Sequence, residues 1–279
     1  MLLTGLVLWF ATTGVLILLL AGKGILASLR EPVLCRPVLI IESDDWGAGG
    51  SGQAQALGEI AELLKSFADR DGHHPVMTLG IVLATADGGK TLASGRYQRE
   101  IITPRTHAPL LEVIFSGVES GVFSVQLHGM EHFWPPAIMA ACTTDNAVAD
   151  WLRDAPAART EDLPAALQSR WVDASSLPAR PLEAGSIQQA VREETGVFRE
   201  IFGRLPAVAV PPTFIWNADV EHAWAASGVG VIVTPGARYE SRDANGRPAG
   251  RGERLYNGQP GDGNVIYLVR DVYFEPAFG

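Results

Sequence analysis

Short apolar runs alternate with amphipathic stretches along most of the chain, and this alternation fixes the fold class before any motif is considered. Residues 37–42, 76–84, 123–127, 207–210, 230–234 and 265–269 have the length and aliphatic content of strands buried on both faces. Between them, residues 54–68, 109–118, 186–202 and 218–226 carry apolar side chains at helical spacing. Leu57, Ile60, Leu63, Leu64 and Phe67 share one face of the first, and Ile187, Val191, Thr195 and Phe198 one face of the third. Strand and helix alternating without an internal repeat predict an α/β domain with a mainly parallel sheet. Two stretches fall outside the pattern. Residues 134–181 are rich in Pro, Ala and Asp, with helical fragments at 148–153 and 165–171. Residues 239–263 hold many glycines and read as a long surface loop.

The N-terminus follows another rule. Residues 2–21 carry no charge, and Lys23 closes the run. As a helix that segment would span about 30 Å, the thickness of a bilayer's hydrocarbon core. A secretory signal would begin with basic residues and have a shorter apolar stretch, and Met1-Leu2-Leu3-Thr4 has no basic side chain. The expected organisation is a single-pass membrane anchor and linker over residues 1–30, in contact with lipid through residues 2–21, and one domain over residues 36–279. Lys23 and Arg30 follow the span, so the positive-inside rule alone would keep that domain cytoplasmic. With 47% hydrophobic and 19% charged residues the domain can build a sizeable core. A net charge of -9 without a basic run excludes a nucleic-acid partner. Cys35 and Cys142 fit neither a zinc ribbon nor a CxxC motif. They read as two separate thiols, and sequence leaves their pairing open.

Chemistry concentrates at two strand ends. Asp44 and Asp45 follow the first apolar run, and two adjacent carboxylates at the end of a buried strand need a compensating positive charge. His128 and His132 follow the run at 123–127, at a spacing that would put both imidazoles on one face of a helical turn. Asp pairs often cap turns, and His pairs often only pack. One carboxylate with two imidazoles, however, is a zinc donor set that leaves a position open for water. His128-x-x-Glu131-His132 also spells an inverted zincin motif with Glu131 as base. That site needs a long helix, which Gly129 and Pro135-Pro136 oppose.

Ser43-Asp44-Asp45-Trp46-Gly47, His128-x-x-x-His132 and Pro211-Pro212-Thr213-Phe214-Ile215-Trp216-Asn217 occur in this order, each after a predicted strand. Together they resemble the Asp-Asp, His-x-x-x-His and Arg-Pro-Pro groove motifs of polysaccharide deacetylases, the NodB-homology carbohydrate esterases. The resemblance runs from about Arg36 to the C-terminus. It implies a distorted (β/α) barrel with its site at the strand C-termini. It also implies a divalent metal, expected to be Zn2+, that Asp45, His128 and His132 hold, with Asp44 as general base. The implied reaction removes N-acetyl groups from an acetylated polysaccharide, with Trp46, Pro211, Pro212, Trp216 and Asn217 along the substrate groove. A polymer substrate would place the domain outside the cytoplasm, against the weak charge signal.

The chain departs from that pattern twice. Val210 stands where the family carries the arginine that orients the base, and Arg204, Arg238 and Arg270 are the candidates to replace it. No histidine follows His222, so the family's late acid has no counterpart. On this ground the chain is expected to be C-terminally incomplete, and to bind metal while deacetylating poorly. The alternative is a membrane-tethered glycan-binding module without turnover, in which Trp46, Trp134 and Trp216 stack on sugar rings. His73, His74, His107 and His222 read as loop, packing or surface residues.

Overall fold

The computed structural model describes residues 2–33, 35 and 38–273. Helix α1 (Leu2–Arg30) is long and apolar enough to cross a membrane, and the domain buries none of its residues. The elements that follow are β1 (Ile41–Gly47), α2 (Gln53–Lys65), β2 (Met77–Val82), β3 (Ala84–Ala86), α3 (Gly88–Ser94), β4 (Arg99–Ile101), α4 (Ala108–Glu119), β5 (Phe123–Leu127), α5 (Pro135–Ala141) and α6 (Asn146–Asp154). Then come β6 (Val172–Asp173), β7 (Arg180–Pro181), α7 (Ala184–Phe202), β8 (Val208–Ala209), α8 (Ala218–Ala226), β9 (Val231–Thr234), β10 (Ala237–Arg238), β11 (Ser241–Arg242), β12 (Pro248–Ala249), β13 (Glu253–Arg254) and β14 (Ile266–Val269).

Six of the strands form one sheet in the order β1-β2-β5-β8-β9-β14, and every neighbouring pair is parallel. The expected class is the one observed. The helices cover the sheet with the faces that periodicity assigned to the core. Leu57 of α2, Ile114 of α4, Ile187, Val191 and Phe198 of α7 and Trp224 of α8 are all enclosed, with Leu79, Ile81, Leu127 and Ile232 of the sheet. Each such side chain contributes about 1.5–3 kcal/mol over leaving it in water. Leu63 and Phe67 are exposed, because α2 ends at Lys65 and turns only part of its apolar stripe inward. Edge strands β1 and β14 face each other across a seam. Arg270, directly after β14, crosses it to Glu42 and Asp44 of β1, so the sheet closes as a distorted barrel through side chains.

Three expectations need correction. The first strand does not cover 37–42. Val38–Ile40 are exposed and unpaired in strand terms, and β1 begins at Ile41 and runs through the two aspartates instead of stopping before them. Arg36, Pro37 and the terminal segment 274–279 lie outside the described residues. The stretch 134–181 is more ordered than its composition suggested. Helices α5 and α6 and the 3-10 turn Ala165–Gln168 enclose a second apolar cluster containing Phe133, Ile138, Val148, Trp151 and Leu163, with the Phe133 and Trp151 rings edge-to-face at 5.4 Å. Residues 239–263 form short antiparallel pairs, not one loose loop: β13 pairs with β10 and β11 with β12.

Candidate metal centre and active site

The site begins with an irregularity in β1. Ser43 pairs with Leu79 of β2, but the next regular partner is Trp46 with Ile81, so Asp44 and Asp45 form a bulge. Asp45 sits at φ 65°, in the left-handed region that Asp tolerates better than most residues. In a regular strand two successive side chains point to opposite faces. The bulge lets both carboxylates serve one site. Space for Asp44 comes from Gly80 on β2, where a Cβ would lie 2.5 Å from Asp44 Oδ1 and 3.2 Å from its Cα. Any larger residue there would push Asp44 out of place.

The second half of the site follows β5. His128 to His132 is not a helical turn, which corrects the expected i, i+4 geometry. It is a bent loop, with α5 starting only at Pro135. The loop folds back through Gly129 at φ 107°, where a Cβ would meet Glu131 O at 3.0 Å and Arg170 Cδ at 3.2 Å. Both imidazoles nevertheless converge. His128 Nε2 lies 3.2 Å and His132 Nε2 3.4 Å from Asp45 Oδ1, and one ligand atom from each residue falls within 4.8 Å of the others. Both histidines are buried, while the Asp45 side chain is 49% exposed and opens the site to solvent.

The hydrogen-bond pattern fits a metal. His128 Nδ1 donates to the Val210 carbonyl at 2.9 Å, and a carbonyl can only accept. Neutral His128 therefore turns a bare Nε2 lone pair toward the Asp45 oxygen. Two electron pairs at that distance repel unless a proton or cation lies between them. Without metal, a proton serves. Burial opposes charge on His128, but Asp44, Asp45 and the Val210 carbonyl outweigh it and raise its pKa to about 9. Burial dominates at His132, with His128 adding to it against the pull of Asp45, and lowers its pKa to about 4. Burial would raise Asp45, yet the His128 hydrogen bond and the charges of His128, His132 and Arg270 hold it well below the carboxylate range.

A consequence for pH follows. A divalent ion binding here would have to displace the His128 proton, so its apparent affinity should rise roughly tenfold per pH unit from about 7 to about 9, with about one proton released. Because the folded pKa of His128 is raised, its pairing stabilises the metal-free fold fully below about 6.5. That contribution fades as pH passes about 9. Calorimetric titration with Zn2+ in buffers of different ionisation enthalpy measures both quantities. An affinity flat across this window would contradict the assignment.

Arg270 is the guanidinium that the motifs left unassigned. Its Nη1 and Nη2 fork onto Asp44 at 2.6 and 2.9 Å, and its Nε donates to Glu42 at 3.1 Å. The Phe214 ring lies under it, 5.5 Å from centroid to Cζ. Thr213 and Phe214 reach this position through successive left-handed residues at φ 53° and 54°, a local cost typical of positions set by function. Of the other two candidates, Arg238 is committed to Glu221, Glu240 and Asp262, and Arg204 to the Val125 carbonyl.

The expected groove residues divide. Trp46 is half-buried beside Asp45, its indole N–H donating to Ser43 at 3.0 Å. Pro211 and Pro212 are buried, and Pro212 packs beside Gly129, behind the histidine loop. Trp216 is corrected from groove to core: it is fully enclosed and donates to Glu221 at 2.6 Å, so neither ring face is open to a sugar. Asn217 caps α8 by accepting from the Val220 N–H. Trp134 is half-buried.

A buried ion-pair network, missed from sequence, holds the histidine loop. Arg170 donates to Glu131 at 2.6 Å and to Glu194 at 3.1 Å, and Glu194 also accepts from the Met130 N–H and the Trp224 indole. Glu131 is enclosed, with Arg99 and the Tyr97 hydroxyl on its other oxygen. Both oxygens are engaged by arginines and the side chain is fully buried, so Glu131 is committed to this network and poorly placed to act as a zincin base. E131Q leaves the Arg170 charge half unpaired and should cost about 3 kcal/mol of stability. It should also retain metal and most of the turnover at 25 °C. Complete loss of hydrolysis by a folded, metal-loaded E131Q would restore the protease alternative.

No family model matches the chain, and no curated protein matches it. Solved structures do. IcaB from Ammonifex degensii aligns over 79% of this chain and 69% of its own, at 14% identity and a TM-score of 0.40. A family 4 carbohydrate esterase from Streptomyces lividans, in complex with acetate, aligns over 73% and 65%, at 14% identity and 0.35. The Streptococcus pyogenes deacetylase PplD, also with acetate, aligns over 88% and 69%, at 10% identity and 0.39. This chain thus spans about two thirds of the length of each. Likeness at this distance transfers no residue's role. The solved proteins to which the chain is similar thus include a family 4 carbohydrate esterase and a deacetylase.

Proposed function

We propose that the chain is a membrane-anchored, metal-dependent hydrolase that removes N-acetyl groups from an acetylated polysaccharide. The observation that carries this is the meeting at one bulge of a ligand carboxylate facing two imidazoles and a second carboxylate clamped by arginine. Asp45, His128 and His132 would hold the ion, and their mix of one oxygen and two nitrogen donors suits Zn2+. Bound there, the ion would polarise the acetamide carbonyl and acidify a water.

The remaining work belongs to the chain's own groups. Arg270 holds both oxygens of Asp44 in a fixed plane, so the carboxylate keeps its lone pairs aimed and need not reorient to accept the water's proton. The water oxygen bonds to the carbonyl carbon, the C–N bond breaks, and the amine leaves with a proton. Asp44 would return the proton it took from the water to the departing amine. Arg270 also removes one of two reasons for expecting an impaired enzyme, since Val210 no longer implies an unoriented base. Helix α1 provides the anchor, and a polymer substrate places residues 36–279 outside the cytoplasm.

The test is acetate release from an acetylated glucosamine oligomer by the full chain in detergent. Release abolished by EDTA and restored by Zn2+ is expected. One other reading is a glycan-binding module without turnover. Oligomer binding that survives EDTA with no acetate released would establish that module and end the hydrolase proposal.

A further inference from the structure

The end of the anchor helix is bound to the domain. Gly24, Ala27 and Glu31, spaced three and four residues apart, are partly covered while Ile25, Leu26, Ser28 and Leu29 are exposed, so one face of the helix end meets protein. The contacts are close. A Cβ on Gly24 would lie 2.8 Å from the Tyr256 hydroxyl, and one on Gly258 2.5 Å from Pro32 Cδ. Asn257 donates to Glu31 at 2.8 Å and, through its other side-chain atom, accepts from the Val269 N–H at 2.6 Å. Val269 ends β14, and the next residue is Arg270, which holds Asp44. One asparagine therefore links the anchor's exit to the strand end that carries the base-clamping arginine.

The geometry limits the height of the site. Glu31 stands ten residues beyond Ala21, the last residue of the uncharged run. At 1.5 Å per residue that is about 15 Å from the edge of the hydrocarbon core, and any tilt of the helix shortens it. A domain of this size has a radius of gyration of about 18 Å and so a diameter above ~40 Å. A strand end roughly 20 Å above that edge, allowing for the Asn257 side chain, lies in the membrane-proximal half.

Building on the hydrolase and anchor proposed above, we infer that the anchor is clasped to the catalytic domain instead of trailing from it. The clasp keeps the active-site end of the sheet near the bilayer, so the substrate class is acetylated glycan displayed at the membrane surface. Polymer held far out in a wall is not within reach, and polymer free in the bulk is the poorer substrate.

The full chain, reconstituted in liposomes, tests this with two readouts. The first is energy transfer from a dye at Asp219→Cys, at the start of α8, to acceptor lipids. The dye is placed in a Cys35→Ser, Cys142→Ser background. A height under about 30 Å is expected, rising when Gly24→Leu and Glu31→Ala break the clasp. The second compares acetate release from one oligosaccharide presented on a lipid and free in solution. At least a fivefold preference for the lipid-borne form is expected, and the unclasped variant should lose it. A dye height beyond about 40 Å, or equal rates on both forms, overturns the clasp. Energy transfer needs no turnover, so a low dye height with no acetate release on either form would sink the hydrolase alone.

Discussion

Asp45→Asn in the full chain should abolish stoichiometric metal binding and lower acetate release by at least about a thousandfold, while the protein stays folded. Asparagine is the informative replacement because Asp45 sits at φ 65° in the bulge. Asn tolerates that backbone, whereas Asp45→Ala adds about 1–2 kcal/mol of strain to the lost ligand. The substitution removes the anion that both Nε2 atoms face at 3.2 and 3.4 Å, and an amide oxygen is a far weaker donor to a divalent ion. His128→Ala should have the same effect on metal content at a greater cost in stability. It also deletes the hydrogen bond to Val210 that ties the histidine loop to the end of β8. Elemental analysis of each purified variant, with thermal melts beside it, separates ligand loss from unfolding. A variant of Asp45 that keeps one equivalent of metal would remove the basis of the proposed site.

How much of this site could be read from sequence depends on how each residue is positioned. Asp44, Asp45, His128 and His132 were legible because titratable residues directly after apolar runs are unusual, and parallel strands bring such ends together. The means of convergence was not legible. Sequence spacing suggested a helical turn for the histidines, while the chain uses a loop bent through Gly129. The left-handed Asp45 is a property of the bulge that no local pattern announces. Trp216 shows another limit: an aromatic residue inside a motif can face either the groove or the core, and only the Glu221 carboxylate beneath it decides. The Glu131–Arg170–Glu194 network was invisible because its members come from a loop, an irregular stretch and a helix that only the fold brings together. The fragment at 148–153 already marked α6, but the short α5 was hidden by the prolines that open it; the apolar residues of both pack around Trp151 and Phe133 and not on the sheet.

Arg270 was one of three arginines that sequence could not rank, and it lies 226 residues from Asp44. Its replacement by methionine is therefore the sharpest test of the assembled site. Arg270→Met keeps an unbranched apolar stem but removes the fork, together with the guanidinium that lies over Phe214. The Asp44 side chain is 14% exposed and would be left as a mostly buried anion without its cation. Breaking such a pair costs about 3 kcal/mol, which in a domain of this size lowers Tm by roughly 6–12 °C. The larger effect is on turnover. A base that must find its own orientation forfeits most of the 10²–10⁴-fold that general base catalysis supplies, so kcat should fall by about two to three orders of magnitude with KM nearly unchanged. Metal content should stay at one equivalent, because Arg270 touches no ligand atom. Arg270→Lys should recover charge but only part of the rate, since an ammonium cannot grip both Asp44 oxygens and Glu42 at once. A purely structural role predicts another pattern: lysine and methionine would differ in Tm, yet below both transitions each would turn over like the unmodified enzyme. Full kcat in folded, metal-loaded Arg270→Met would show that Asp44 does not depend on the seam, and the role given to this arginine would be withdrawn.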